Sequence, residues 1–272
     1  MTVFAMTPFF FGPMERRLYG VYHPSVPAQR TAQQVLLCPP FGQEAVRVQL
    51  LQRLLADQLA RQGIHVMRFD YHGTGESTGA DNDATLTGWC DDILTAHEEL
   101  SRRTRAHSTT WLGCRLGGTL AMLASSKGKD KGTPERIVLW EPILDGTSYL
   151  QELGQAHAQH SFSPFLHTER PAAQVKDEVL GFEVSEAWIR QLQAVTAEQL
   201  NPTCAEACVH LASQQGQDTL GLAKRLQARG VAWHHLDTQT RIDWFQEEAR
   251  GSAVAPPELL RLLVSAATGA AA

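Results

Sequence analysis

No stretch of about eighteen consecutive apolar residues occurs in the chain, so nothing is long enough to cross a bilayer as a helix. Positive charge is short as well: 24 Lys and Arg stand against 29 Asp and Glu, a formal net charge of −5. Nucleic-acid binding asks for a basic face that releases counterions from phosphate, and that class of partner is excluded. Cysteine is sparse and odd in number. Cys38, Cys90, Cys114, Cys204 and Cys208 do not have the spacing of a disulfide-stapled secreted domain, and a reducing cytoplasm is the expected compartment. Cys204 and Cys208 lie four apart, yet no second Cys/His pair follows at zinc-ligand spacing, so neither a metal nor a cofactor is expected. The opening segment Met1–Gly12 lacks the positive start and cleavage site of a signal peptide and is expected as a strand. Internal repeats are absent.

What is present is a chain of 272 residues, 43% hydrophobic, enough to bury one sizeable core; a single domain over 1–272 is expected. Strand-like apolar runs appear at Val3–Phe11, Arg17–His23, Val35–Pro40, His65–Tyr71, Thr109–Gly113, Ile137–Trp140, Cys208–Ala212 and Val231–Leu236. Several are continuous apolar blocks, as in strands covered on both faces by helices. Helical periodicity lies between them, at Gln43–Gln62 (Leu50, Leu51, Leu54, Leu55, Leu59, closing at Gly63), Leu86–Arg103, Leu116–Ser125, Leu220–Arg229 and Pro257–Ala267. Two opening strands followed by β-α-β alternation predict an antiparallel edge leading into a parallel, doubly wound sheet of about eight strands. Residues 146–202 break the rhythm. They carry two helical patterns, near Tyr149–Gln159 and Ser185–Ala197, and no strand signal, and read as a small helical cap inserted after the sixth strand.

The strongest local motif is Trp111-Leu112-Gly113-Cys114-Arg115-Leu116-Gly117-Gly118, which follows a strand and opens a helix. This is the setting of the nucleophile elbow, G-x-S-x-G, whose tight turn requires small residues two before and two after its tip. Gly113 and Gly117 fill those places and put Arg115 at the tip. A frame centred on Cys114 would have Leu112 and Leu116 in the crowded positions. Asp70-Tyr71-His72-Gly73-Thr74-Gly75-Glu76-Ser77 matches the D-x-x-G-x-G-x-S loop common in α/β-hydrolases. Cys38-Pro39-Pro40-Phe41-Gly42-Gln43-Glu44 stands where the oxyanion loop lies in that fold, with Pro-Pro in place of His-Gly.

Taken together, Pro39-Pro40-Phe41-x-x-Glu44, Asp70-x-x-Gly73-x-Gly75-x-Ser77, Arg115-Leu116-Gly117, Trp140-x-Pro142-x-x-x-Gly146 and Asp243-Trp244-Phe245-Gln246 resemble the exosortase A system-associated hydrolases, hydrolase 2 group. Gly42-Gln43 stands where that group is expected to carry Ala-Glu. The resemblance implies an α/β-hydrolase fold, a bacterial source and association with export of surface polymer and sorted proteins. It therefore points to cell-envelope or export-system partners, with Arg at the elbow as part of the family pattern.

A triad needs a nucleophile, a base and an acid to orient the base. Arginine stays protonated and offers no lone pair, so Arg115 is no nucleophile. The base belongs in the loop after the last strand, and 238–253 contain no His; His234 and His235 fall inside the strand. Asp218 and Asp145 sit near the two usual acid positions, but a helix cap and a turn residue are the plainer readings of each. Two accounts of Arg115 stay open. It presents a planar cation to an anionic or acyl small molecule at a helix N-terminus, with Phe41, Gly42, Leu116, Trp140 and Glu141 around it. Otherwise it pairs with Glu44, Glu141 or Asp145 and plugs the site. Catalytic alternatives are a thiol nucleophile from Cys114, or water activated by Glu44 or Glu141 with Arg115 stabilising an oxyanion. A third class is an interaction protein contacting its partner through the cap, and a homodimer is allowed. The cap aromatics Phe162, Phe165, Trp188 and Tyr149 either line a pocket or hold the cap down.

Overall fold

The computed structural model describes residues 6–26, 33–128, 132–161, 175–203, 206–240, 242–245 and 255–269. Phe162, Phe165, Cys204, Gln246 and the first residues of the expected opening strand lie outside them. Ten strands and seven helices follow in chain order among the described residues: β1 Thr7–Phe11, β2 Leu18–His23, β3 Gln33–Cys38, α1 Gly42–Arg61, β4 His65–Phe69, α2 Leu86–Thr104, β5 Ser108–Cys114 and α3 Leu116–Lys127. Then come β6 Arg136–Trp140, α4 Gly146–Ser161, β7 Glu178–Val179, β8 Phe182–Glu183, α5 Glu186–Gln193, β9 Ala207–Ala212, α6 Gln217–Ala228, β10 Ala232–Asp237 and α7 Pro257–Thr268.

Eight strands form one sheet in the order β1-β2-β4-β3-β5-β6-β9-β10. The β1–β2 and β2–β4 pairs are antiparallel and every later pair is parallel. The antiparallel edge and parallel remainder are those expected from the two opening strands. Alternation along each strand divides the core. Val35 and Leu37 of β3 pack with α1 and α7 residues such as Leu55 and Leu263, whereas Leu36 and Cys38 face the layer containing Trp89, Leu120 and Leu222. Because both faces are covered, the central strands read as unbroken apolar runs.

Helix α1 shows how periodicity sorts neighbours. Leu51, Leu55 and Leu59 are buried, while Leu50, one residue and about 100° round the helix, is 41% exposed. Gly63, φ +89°, turns the chain out of α1 into β4. The segment expected as a purely helical cap also contains the β7–β8 hairpin, two residues per strand and too short to show alternation. Asp218 does not cap α6. Gly216 holds the N-cap position and Asp218 lies within the first turn. Asp145 does act as a capping side chain, accepting the Ser148 N–H through Oδ1 at 2.6 Å.

Candidate functional site

The turn between β5 and α3 has the elbow geometry. Arg115 adopts φ +50°, ψ −125°, a backbone state sparsely populated by residues with a side chain, which costs of order 1–3 kcal/mol. It is held by its N–H donating to the Trp140 carbonyl at 2.9 Å, and by the Gly118 N–H donating to its own carbonyl at 3.0 Å. A Cβ on Gly113 would lie 2.5 Å from the Gly117 carbonyl oxygen, and one on Gly117 would lie 2.3 Å from that of Cys38. No side chain fits at either place, so the frame centres on Arg115.

At the tip the Arg115 side chain is engaged twice. Nε donates to Glu44 Oε1 at 2.8 Å and Nη2 donates to Glu152 Oε2 at 2.7 Å. The second Glu44 oxygen accepts the Tyr149 hydroxyl at 2.9 Å. The guanidinium also lies over the rings of Tyr149 and Trp244, at 5.4 and 5.5 Å. Burial works against the Arg115 cation, but Glu44, Tyr149 and Glu152 together outweigh it and raise its pKa. Burial pushes the Glu44 carboxyl up, against the pull of the Arg115 cation and the two hydrogen bonds. One cation thus serves two carboxylates directly, with Glu141 close by. The site holds no surplus positive charge for a free anion.

The other expected residues fall into separate places. Glu141 is partly buried at φ +46° and accepts the Trp244 Nε1–H through Oε2 at 2.9 Å. Its carboxyl is raised by burial, opposed by Trp244 and Arg115. Glu44 is fully buried, and each of its oxygens accepts one hydrogen bond from the protein. Cys114 is buried, on the sheet face that packs with α1 and α7, and its thiol is pushed well up by burial and by Glu44 and Glu141. That environment opposes a thiolate. Leu116 is buried in the opposite layer, and Trp140 is buried beside Trp244, ring centroids 5.4 Å apart. Of the strand histidines, His235 pairs with His210, Nδ1 to Nδ1 at 3.0 Å, and His234 is exposed. Nothing in the sequence marks Glu152. Its one signal is its place on α4 three residues after Tyr149, which puts both side chains on one helix face.

Phe41 and Gly42 line a cavity of about 810 Å³ between the outer side of α1, the Asp70–Glu76 loop and the β7–β8 hairpin. Arg115, Leu116, Trp140 and Glu141 do not line it. Among the described residues, no group of three or more His, Cys, Asp or Glu side chains is placed to hold a metal, and no helix is long and apolar enough to cross a membrane.

Known structures share the architecture at low sequence identity. Est1E from Butyrivibrio proteoclasticus, with ferulic acid bound, aligns at TM-score 0.64 and 13% identity over 94% of this chain and 96% of its own. A thermostable carboxyl esterase from Bacillus coagulans aligns at 0.64 and 12%, over 98% and 99%. The bottromycin epimerase BotH aligns at 0.56 and 12%, over 97% and 99%. Comparison with curated protein sequences gives no match. The sequence family described as serine aminopeptidase, S33 matches residues 29–228, most of the chain. With the elbow and the eight-stranded sheet in place, this chain belongs to the serine aminopeptidase S33 family and has the α/β-hydrolase fold.

Proposed function

We propose that this chain binds a small acyl-type ligand, or a partner through its cap, without Ser-type hydrolysis. The observation that carries this reading is the Arg115 side chain, set in the nucleophile's backbone conformation with Nε and Nη2 taken by Glu44 and Glu152. Such a residue cannot attack a carbonyl. Its ion pair with Glu152 ties α4 of the cap to the elbow, so Arg115 acts as a clamp. Because the clamp carries no spare charge, an acyl group suits the cap–sheet cleft better than a free anion. An epimerase on the same fold supports treating the fold as a scaffold and not as a reaction.

The motif set Pro39-Pro40-Phe41, Arg115-Leu116-Gly117 and Trp140-x-Pro142 supports placing the chain with the exosortase A system-associated hydrolases. On that reading it is a bacterial, cytoplasmic, single-domain protein working beside the cell envelope. A second reading, water activated by a carboxylate, rests on Glu141, whose raised pKa and partial exposure beside Arg115 suit a general base.

The test is turnover of p-nitrophenyl esters and acyl thioesters by the unaltered protein, Arg115→Ala, Cys114→Ser and Glu141→Gln, each purified twice. The expected result is no turnover above buffer in any of them. Turnover lost only in Glu141→Gln establishes the water mechanism, and loss only in Cys114→Ser establishes a thiol enzyme.

A further inference from the structure

Strand β1 is apolar on both of its faces. Phe9 and Phe11 turn toward α2, where Phe11 joins the core layer of Ile93 and Leu100 and the Arg103 guanidinium lies over Phe9 at 3.6 Å. Pro8 and Phe10 alternate to the other face. There Phe10 stays 47% exposed, its ring edge-on to Tyr19 at 5.5 Å, and Met6, just before the strand, is 45% exposed. Topology accounts for the bare face. Residues 12–17 join β1 to β2 as antiparallel neighbours, a connection that needs no crossover helix and supplies none to cover that side. A strand with one solvated face is expected to carry polar residues there, and Phe10 breaks that pattern.

The same surface continues onto α1. Val46, Gln49, Leu50 and Arg53 fall at helical spacing along its exposed side, a ridge of about two turns. Between this ridge and the β1–β2 face runs the cavity that begins beside Phe41, lined here by Met6, Pro8, Tyr19 and Val21. Met6, Phe10, Val46 and Leu50, four of the six large hydrophobic side chains exposed among the described residues, thus share one ridge-and-groove surface. Clustering of that kind marks an interaction site, whereas scattered exposed apolar residues do not.

Charge selects the occupant. Asp70, Glu76, Asp81 and Glu183 line the groove at the end where α1 begins and Phe182 lies against Gly42. They outnumber Arg17, which lies over the Phe10 ring at 5.5 Å. Arg53 and Arg68 line the other end, and the nearby Asp57 is engaged by His23 at 2.9 Å. Arg53 is eleven residues on from Gly42, about 16 Å along the helix, and the midpoint of that span falls between Val46 and Leu50. A two-fold axis through that midpoint turns a second copy end for end. It sets Arg53 of each copy against the acidic end of the other and brings Val46 and Leu50 together. Each α1 ridge then lies in the other copy's groove. A parallel approach would set like charges together. We infer that this face is an isologous homodimer interface whose occupant is a second copy of this chain. Arg115, Leu116, Trp140 and Glu141 do not line the groove, so the interface is independent of the ligand reading above.

The test is sedimentation velocity across the micromolar range on the unaltered chain, Leu50→Glu, Arg53→Glu and Glu183→Arg. All three positions are exposed, so the fold should persist, and thermal scans check that it does. The expected result is a concentration-dependent dimer of the unaltered chain, weakened about tenfold or more in each variant. An equal mixture of Arg53→Glu and Glu183→Arg should recover the dimer, because each contact in the mixed pair then sets a glutamate against an arginine. A substitution that merely disturbs the fold is not rescued by mixing. An unaltered chain that stays monomeric, a dimer indifferent to all three substitutions, or a mixture no more associated than its components overturns the proposal. A monomer that floats with phosphatidylcholine vesicles, and stops doing so in Leu50→Glu, overturns it in favour of a lipid surface.

Discussion

Arg115 Nη2 and Glu152 Oε2 meet at 2.7 Å between the elbow and helix α4, while Nε of the same arginine holds Glu44. The two carboxylates differ in surroundings. The Glu44 side chain is 1% exposed and that of Glu152 is 43% exposed, so two ion pairs of nearly equal length have different energetic weight.

Removing the arginine exposes that difference first. Arg115→Ala strands the Glu44 charge away from water, and an uncompensated buried charge costs roughly 3–5 kcal/mol. Urea unfolding should show that loss, and Arg115→Ala combined with Glu44→Gln should recover at least half of it. A single-variant loss below about 1 kcal/mol would mean that Glu44 is protonated or finds another donor.

Glu152→Ala should behave differently. A pair this exposed contributes about 1 kcal/mol or less to global stability, since water screens it. Its effect should be local: amides of α4 should exchange faster with deuterium while those of β5 and β6 keep their protection. Unchanged exchange in α4 would remove the clamp role.

Much of this was legible in the sequence, and what was not has identifiable causes. The inner strands of the sheet stood out because strands buried on both faces are apolar throughout, as in Val35–Cys38 and Ile137–Trp140. Gly113 and Gly117 fixed the elbow because carbonyl and backbone atoms fill the space a Cβ would need. The β7–β8 hairpin left no trace, since two residues cannot alternate. Leu50 reads as core beside Leu51, yet it stands about 100° round the helix from it, and it lines the cavity beside Phe41. Glu152 lies 37 residues from Arg115, and only the packing of α4 brings them together.

His210 should contribute to acid sensitivity. His210 is shifted from 6.5 down to about 4, chiefly by burial and then by His235, so the folded protein holds this ring neutral where the unfolded chain protonates it. The unfolded state therefore binds more protons between those values, and stability falls as the pH drops through that window. The contribution is complete above about pH 6.5 and spent below about 4. Unfolding curves of the unaltered protein and His210→Phe, compared from pH 7 to 4, should converge on acidification. A gap that does not change with pH would show that His210 stays neutral in both states or in neither.

The glycines give a paired prediction. Gly117→Ala drives a Cβ to 2.3 Å from one carbonyl oxygen and 2.4 Å from another, Cys38 and Pro39, both backbone atoms that cannot yield cheaply. Soluble expression of that variant should collapse. Gly221→Ala, inside α6 with nothing closer than Arg225 Nη1 at 3.6 Å, should stabilise by about 0.5–1 kcal/mol through helix propensity. Soluble yield of Gly117→Ala and a thermal scan of Gly221→Ala separate glycine required by space from glycine merely tolerated.

Restoring the nucleophile alone should not restore hydrolysis. In Arg115→Ser, combined with Glu44→Gln so that no buried carboxylate is left unpaired, a serine would occupy the φ +50°, ψ −125° position a nucleophile needs. Its hydroxyl would still lack a base. Residues 238–253 contain no histidine, His210 and His235 are bonded to each other, and His234 is exposed on an edge strand. A serine without a base remains a poor nucleophile at neutral pH. Turnover of p-nitrophenyl butyrate by the double variant should equal that of the unaltered protein, with no acyl-enzyme seen by intact-mass measurement. Steady turnover would show that a remaining carboxylate, Glu141 or Glu152, can serve as the base, and would overturn the non-hydrolytic reading.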